Sequence, residues 1–385
     1  MKKLLLATAA VGLVAAAAPA KAEVKLDLGG YFKGYGFYTN QDDNAGTTAG
    51  VESREFDIIR DTEVHFGGET TLDNGLSVGV HIEADADEGD GFEVDESYAY
   101  FSGGWGRVNF GSEDGAAYLL QVEAPSADDN LDGLRQYVNP INFAEAGFAG
   151  LLEVSNGGLD YDMDVSAKAD KLTYLSPIFS GFQVGVSYTP DLVDASNSDA
   201  LNTNEVVNSF GSTYEVGARY EGQFSNVGVI VGAGYAHADL EDSNAVTGVG
   251  DFTDDRQAWN VGADFDIGPF GVGVAYVQDD LGDIDLTAGA VENTLDERKT
   301  WVVGADYTTG PFKLGASYYD SEVGSSAVTQ DVEATRWTGG VTYTYGPGMT
   351  FRGSVSHAEF DNVAGLTSGD SFDATSVLLG TQINF

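Results

Sequence analysis

Apolar and polar residues alternate with a period of two along most of this chain. In segment 75–85 one face carries apolar side chains, whereas the other carries small or charged ones. The apolar face holds Leu76, Val78, Val80, Ile82 and Ala84. Because successive side chains of a β-strand point to opposite faces, this alternation predicts a strand between an apolar medium and water. Sixteen segments of this kind, from about 24–39 to about 375–385, predict an all-β fold.

The connections between these segments are of two alternating kinds. Short turns are built on Gly, Pro and Asn, as at Gly268-Pro269 and 222–226, whereas long acidic loops occupy segments such as 191–210 and 279–297. Short turns at one end and long loops at the other are typical of outer-membrane barrels. A soluble sandwich of sixteen strands would divide into two domains, and we find no linker. We therefore predict a 16-stranded antiparallel transmembrane β-barrel.

The N-terminus has the pattern of a secretory signal peptide. Two lysines follow Met1, an apolar run covers residues 4–18, and a signal-peptidase cleavage site of the small-x-small type ends at Ala22. This pattern predicts a signal peptide over residues 1–22 and a barrel over residues 23–385. No other segment approaches eighteen consecutive apolar residues, so we expect no transmembrane helix. The predicted signal peptide and the predicted barrel together indicate that the protein lies in the bacterial outer membrane.

Composition narrows the possible functions. The formal net charge is −43, which excludes nucleic acid as a natural partner because phosphate binding needs clustered Lys and Arg. The chain has no Cys, and its four His show no zinc-like spacing. We therefore predict that it is not an enzyme and has no cofactor or metal centre. Loose binding of divalent cations by the acidic outer loops stays open.

One long segment, residues 113–170, lacks the alternation found elsewhere. It carries only two fixed positive charges, Arg135 and Lys168. Its twelve carboxylates are Glu113, Asp114, Glu123, Asp128, Asp129, Asp132, Glu145, Glu153, Asp160, Asp162, Asp164 and Asp170. Long irregular loops in regular domains are usually functional or disordered. We interpret this one as a constriction loop that folds into the lumen; the alternative is a solvated surface insertion.

Four sequence boxes carry a family resemblance. They are Phe66–Thr70, Tyr98–Gly111, Leu172–Phe182 and Thr381–Phe385. In this order and spacing they resemble the general porins of the Gram-negative outer membrane. The resemblance implies a homotrimeric diffusion pore for small hydrophilic solutes and ions, in contact with outer-membrane lipid and lipopolysaccharide. It also implies an inward third loop that faces wall arginines, and a C-terminal assembly signal at Phe385.

The resemblance and the strand parity give candidate site residues. For the constriction we select Glu123, Asp128, Asp129 and Asp132 with Arg135 as their counter-ion, although these could be merely solvated charges. Strand parity assigns Asp61, Glu63 and His65 to the lumen wall. The candidate wall cations are Lys33, Arg107, Lys171 and Arg219. Glu63 stands where the family tends to place a basic residue, so we expect a wall that is mostly negative on both sides.

These features predict a cation-selective porin. A ring of carboxylates in a narrow aqueous passage attracts cations and repels anions. Two alternatives remain at this point. A closed barrel with a structural or adhesive role would not conduct, and a substrate-specific channel would show saturable flux and blockade by its solute.

Overall fold

The computed structural model describes most of the barrel but not every loop. The described residues are 24–42, 54–87, 91–142, 159–192, 209–241, 251–252, 254–282, 284–285, 294–325, 331–362 and 371–385. The predicted signal peptide over 1–22 lies outside them, as do Glu145, Glu153 and most of the predicted outer loops.

Within these ranges the chain forms eighteen β-strands. They are β1 (Lys25–Gln41), β2 (Phe56–Thr71), β3 (Ser77–Asp85), β4 (Glu93–Gly103), β5 (Gly106–Ser112), β6 (Asp170–Leu175), β7 (Phe182–Thr189), β8 (Phe210–Phe224), β9 (Val227–Leu240), β10 (Asp251–Phe252), β11 (Arg256–Ile267), β12 (Phe270–Asp279), β13 (Ile284–Asp285), β14 (Thr294–Thr309), β15 (Phe312–Ser325), β16 (Val332–Gly346), β17 (Met349–Asp361) and β18 (Ser371–Asn384). The two-residue strands β10 and β13 pair with each other in the loop region. The other sixteen form the wall, which confirms the predicted count.

The wall is a closed antiparallel cylinder. Each of these sixteen strands pairs with the wall strand before it and the one after it, so that β9 pairs with β11 and β12 with β14. The first wall strand, β1, also pairs with the last, β18, from Tyr31↔Asn384 to Gln41↔Ala374. The terminal Phe385 extends this seam, since its N–H donates to the Gly30 carbonyl and its own carbonyl accepts from Gly30, both at 3.1 Å. Closure removes the unpaired edges that a strand cannot expose in a bilayer. The assembly role of Phe385 stays a prediction.

The outward face of the wall is apolar and exposed. On β7, Val184 and Val186 are exposed, whereas Ser187 and Thr189 on the opposite face are buried. Outward aromatic rings pair at two levels: Trp301 with Tyr318 at 5.1 Å, and Phe270 with Tyr307 at 4.9 Å between ring centroids. An apolar surface of this extent needs hydrocarbon around it, and two aromatic levels match the girdles of membrane barrels.

The short turns follow the sequence prediction with one correction. Gly268 has a φ of +62°, which suits the first central position of a type II′ hairpin turn. The turn predicted over residues 222–226 is shorter, because β8 runs through Gly222 to Phe224 and pairs with Val227. In the described residues between β5 and β6 there are two helices, α1 (Ala116–Leu119) and α2 (Asp129–Asp132). No described helix has the length and apolar character needed to cross a membrane.

The outward face can be tested with an arginine scan along β14. Val303 points outward and lies between the aromatic levels marked by Trp301 and Tyr307. We expect Val303→Arg to lower the free energy of unfolding by about 2–4 kcal/mol, because the charge enters the middle of the hydrocarbon. Thr309→Arg, on the same face but beside the turn, is the control and should cost at most about 1 kcal/mol. Equal losses in urea titrations with lipid vesicles would contradict the outward assignment.

Candidate functional site

The segment between β5 and β6 contacts the face of the wall that lies opposite the exposed apolar one. Its start is fixed at α1. The Ala116 N–H donates to Ser187 Oγ at 2.8 Å, and the Ala117 N–H donates to Glu215 Oε2 at 3.1 Å. Gly115 leaves the space that this carboxylate occupies. A buried carboxylate at these free N–H groups satisfies donors that a helix start leaves unpaired.

From α1 the backbone follows a glycine track, a row of wall glycines against which residues 116–127 lie. A Cβ added to Gly262 would lie 2.6 Å from the Val122 carbonyl oxygen, and one added to Gly315 would lie 2.7 Å from the Ala127 nitrogen. The track comprises Gly185, Gly217, Gly232, Gly234, Gly262, Gly273, Gly304 and Gly315 on seven strands from β7 to β15. Only residues without a side chain allow a backbone so close to a sheet.

The far end of the segment is fixed by a latch, defined here as Asp128 with Tyr35, Ser354 and Arg352. Asp128 Oδ1 accepts from Tyr35 Oη at 2.9 Å and from Arg352 Nη1 at 2.8 Å. Its Oδ2 accepts from Ser354 Oγ at 2.8 Å. The side chains of Asp128 and Arg352 are 1% and 7% exposed. A buried charge of this kind requires its partner, since an unpaired one is strongly destabilising.

The structure gives different positions to the four predicted constriction carboxylates. Asp128 and Asp132 do not face water, because Asp128 belongs to the latch and Asp132 accepts from Ser317 Oγ at 2.5 Å. Asp129 is the exposed one and forms an ion pair with Arg352. Glu123 is half-buried beside Gly133. Two of the four therefore hold the segment to the wall.

Arg135 is not the counter-ion of Asp128, Asp129 and Asp132. It pairs instead with the returning half of the segment, with Asp164 at 2.8 Å, Asp162 at 3.0 Å and Asp114 at 3.6 Å. Lys168 pairs with Asp114, Glu96 and Asp95. We call these two cations and five carboxylates the acidic junction. Carboxylates exceed cations there, so the junction is formally negative.

The returning half, residues 159–169, packs through apolar side chains. Leu159, Tyr161, Met163 and Val165 belong to one buried cluster with wall residues that include Val302. Gln121 joins the two halves, because its Nε2 donates to the Tyr161 carbonyl and its Oε1 accepts from the Met163 N–H, both at 2.8 Å. Apolar and acidic residues alternate over 159–165, which is a local signal for one packed face within a segment that otherwise lacks the pattern.

The predicted wall cations differ in their surroundings. Lys171 is not open to the lumen: its ammonium is buried and donates to the carbonyls of Ala167 and Ala169 at 2.7 and 2.8 Å. The ammonium of Lys33 is also buried, paired with Asp61 at 2.9 Å and lying 3.0 Å from the centre of the Tyr137 ring. Arg107 and Arg219 are the less buried members. Arg219 donates to the Gln121 carbonyl at 3.3 Å, and Arg107 lies over Tyr100.

A row of rings crosses β1 to β4 on the same inner face. It runs from Tyr31 to His65 at 6.0 Å, then to His81 at 5.8 Å and on to Tyr98 at 5.3 Å between centroids. Glu63 lies beside this row, with its Oε2 3.4 Å from His65 Nε2. Parity alone placed Asp61, Glu63 and His65 on one face. The contact between His65 and His81, and so the whole row of rings, depends on the pairing of β2 with β3.

The set of wall cations is larger than predicted, because Arg352 on β17 and Arg336 on β16 also meet the segment. A wall that is mostly negative on both sides stays a prediction. Arg336 is buried and donates to the Leu131 carbonyl at 2.9 Å. Both arginines lie on strands far from the N-terminal boxes beside which the family places its basic wall residues. A signal was available: each arginine neighbours an outward aromatic, Phe351 or Trp337, so parity assigns it to the inner face.

Comparison with known proteins gives one family and a consistent fold. A family model described as Gram-negative porin matches residues 7–363. None of the curated proteins matches the sequence. Among solved structures, OmpF of Salmonella typhi in complex with daunomycin is 18% identical with a TM-score of 0.60, and the match covers 94% of this chain and 97% of that one.

Two further structures have the same TM-score of 0.60. An anion-selective porin from Comamonas acidovorans is 17% identical, with 94% of this chain and 100% of that chain covered. The trimer form of OmpT from Vibrio cholerae is 14% identical, with 94% and 99% covered. At such identities these likenesses show the fold alone.

Proposed function

The chain belongs to the Gram-negative porin family, and from that premise we propose that it forms a water-filled, cation-selective channel for small hydrophilic solutes and ions across the outer membrane. The acidic junction carries this proposal. Its two cations, Arg135 and Lys168, contact five carboxylates within 4 Å. Fixed negative charge in a narrow aqueous passage raises the local concentration of cations and repels anions.

We propose that residues 113–170 form the constriction. The glycine track and the latch hold the segment along the strands from β7 to β17, and Lys168 ties its end to β4, which leaves β2 and β3 as the wall across the water path. That wall adds Asp61, Glu63 and Glu83 to the negative charge, against the buried Lys33. Asp129 and the acidic junction, which includes Asp95 and Glu96 of β4, border this path, whereas Asp128 and Asp132 fix the position of the segment.

Homotrimer formation is part of the proposal. The exposed apolar face supplies the surface for lipid and for neighbouring copies, and aromatic pairs at its outer level lie where lipopolysaccharide would meet the barrel. The OmpT structure from Vibrio cholerae is described as a trimer, which is consistent with this arrangement. Chemical cross-linking in native outer membranes would detect trimers.

Channel activity is tested by reconstitution of the refolded protein. We expect stepwise conductance in planar bilayers and swelling of liposomes in solutions of small sugars. Conductance near zero with a correctly folded barrel would favour a closed structural or adhesive protein. Saturable flux with blockade by one solute would favour a substrate-specific channel.

Cation preference should weaken as the pH falls from 8 to 6. Burial, with the nearby Asp114, raises the pKa of Asp164 to about 7, and Asp164 Oδ1 has no hydrogen-bond partner in the described part of the chain. A carboxyl with a raised pKa is neutral below that pKa, so acidification removes negative charge from the junction. Reversal potentials at both pH values measure this change. Asp164→Asn should reduce the difference; an unaltered difference would contradict the assignment.

A further inference from the structure

Two of the four histidines meet on the inner wall, although sequence spacing gave no metal pattern. His65 on β2 lies directly opposite Glu83 on β3, and His81 shares a face of β3 with Glu83 because they are two residues apart. Pairing across strands therefore brings together side chains that are distant from a zinc motif in the sequence. We propose that His65, His81 and Glu83 form a binding site for a borderline divalent transition metal such as Zn²⁺ or Cu²⁺.

The donor atoms have the spacing that such an ion needs. Glu83 Oε1 lies 2.6 Å from His81 Nε2 and 3.8 Å from His65 Nδ1. One ligand atom from each residue lies within 4.8 Å of the others. In a tetrahedral site with bonds of about 2.0–2.1 Å, donors are about 3.3 Å apart. The observed distances bracket this value, so small side-chain rotations complete the geometry.

Glu63 lies beside His65, at the ring nitrogen that does not face Glu83. With Nδ1 of His65 facing Glu83, its Nε2 faces Glu63 Oε2 at 3.4 Å. Nε2 is buried and makes no hydrogen bond within the described residues. A ligating histidine characteristically directs its second nitrogen to a carboxylate, which fixes the ring and raises its basicity. The orientation of His65 is thus the one that metal ligation requires.

The chemistry of the donors selects the ion. Two imidazoles and one carboxylate suit Zn²⁺ or Cu²⁺, whereas Ca²⁺ and Mg²⁺ prefer oxygen donors alone. Two other clusters in the described residues contain one histidine each, around His237 and His357. They provide natural controls. Three protein ligands also leave a coordination position for water on the side of the lumen.

The site is tested with Cu²⁺ as a probe on the purified, refolded full chain in detergent. At less than one equivalent of Cu²⁺, electron paramagnetic resonance should show hyperfine coupling to two imidazole nitrogens. Either His65→Asn or His81→Asn should remove one nitrogen and weaken binding at least tenfold. The control variants His237→Asn and His357→Asn should leave the spectrum unchanged. Heat-modifiable migration on gels verifies that each variant forms a barrel.

Competition identifies the class of ion. Displacement of Cu²⁺ from this site should require a large excess of Zn²⁺, because Cu²⁺ binds nitrogen and oxygen donors more tightly than Zn²⁺. The same excess of Ca²⁺ or Mg²⁺ should not displace Cu²⁺. Displacement by Ca²⁺, a spectrum without nitrogen coupling, or a nitrogen count unaffected by the His65 and His81 variants would overturn the proposal. A further readout rests on the proposed function: Zn²⁺ should lower single-channel current in the wild type but not in His81→Asn. Because binding is measured without current, failure of the channel and failure of the site are distinguishable.

Discussion

Replacing Arg352 with alanine should release the segment from the wall. The side chains of Arg352 and Asp128 are almost fully buried, so the substitution leaves an uncompensated carboxylate in the latch. Removal of one partner from a buried pair typically costs about 3–5 kcal/mol. At about 1.4 kcal/mol per factor of ten, the population in which the segment is detached from the wall should rise roughly 10²- to 4 × 10³-fold. Trypsin cleavage after Arg135 reports that population when opening is fast relative to cleavage.

The matched control for this prediction is Arg107→Ala. It removes the same charge from the inner wall, but Arg107 contacts Asn109 and Tyr100 rather than the latch. A double variant, Arg352→Gln with Asp128→Asn, should recover much of the protection because no buried charge remains unpaired. Cleavage of Arg352→Ala at the wild-type rate would show that the latch does not hold the segment.

Replacing Gly304 with valine should displace the segment at the middle of the glycine track. A Cβ at this position would overlap the Pro125 carbonyl, a backbone group that cannot rotate away. Overpacking in well-packed sites costs about 1–3 kcal/mol, and a rigid backbone neighbour gives the upper end of that range. We expect higher single-channel current noise and faster tryptic cleavage at Arg135, with the barrel itself intact.

The control for the glycine track is Gly339→Val. A Cβ at Gly339 would have no neighbour closer than 4.0 Å, the Gly315 carbonyl oxygen, so valine should fit there. Both substitutions give the same gain in β-propensity and volume, and only Gly304 contacts the segment. Similar noise and cleavage for the two variants would indicate that residues 116–127 do not lie on the track.

The fold could be predicted from sequence because lipid and water impose opposite requirements on neighbouring residues. Val303 and Gly304 differ in exposure although they are adjacent, and such contrasts recur along strands such as β7, β16 and β18. The site could be predicted only in part. Parity identifies lumen residues such as Glu63, but a loop carboxylate can face water or a wall arginine, and only folding decides between them.

The residues that sequence reasoning missed share one physical cause. Arg352 lies 224 positions from Asp128, and His65 meets His81 through strand register rather than through a motif. Contacts of this kind depend on how the segment crosses the barrel and on which strands pair. The sequence shows a glycine in each of the seven consecutive wall strands of the track, yet glycine also occurs in turns. The function of these glycines therefore depends on the backbone contacts, which the sequence does not show.

We propose that water with fixed negative charge fills this cylinder. The reversal potential of the refolded wild-type protein in a planar bilayer, under a KCl gradient at pH 8, measures the sign of that charge. We predict a potential whose sign shows preference for K⁺ over Cl⁻, and which decreases at high ionic strength because salt screens the fixed charges. Preference for Cl⁻ would contradict the account.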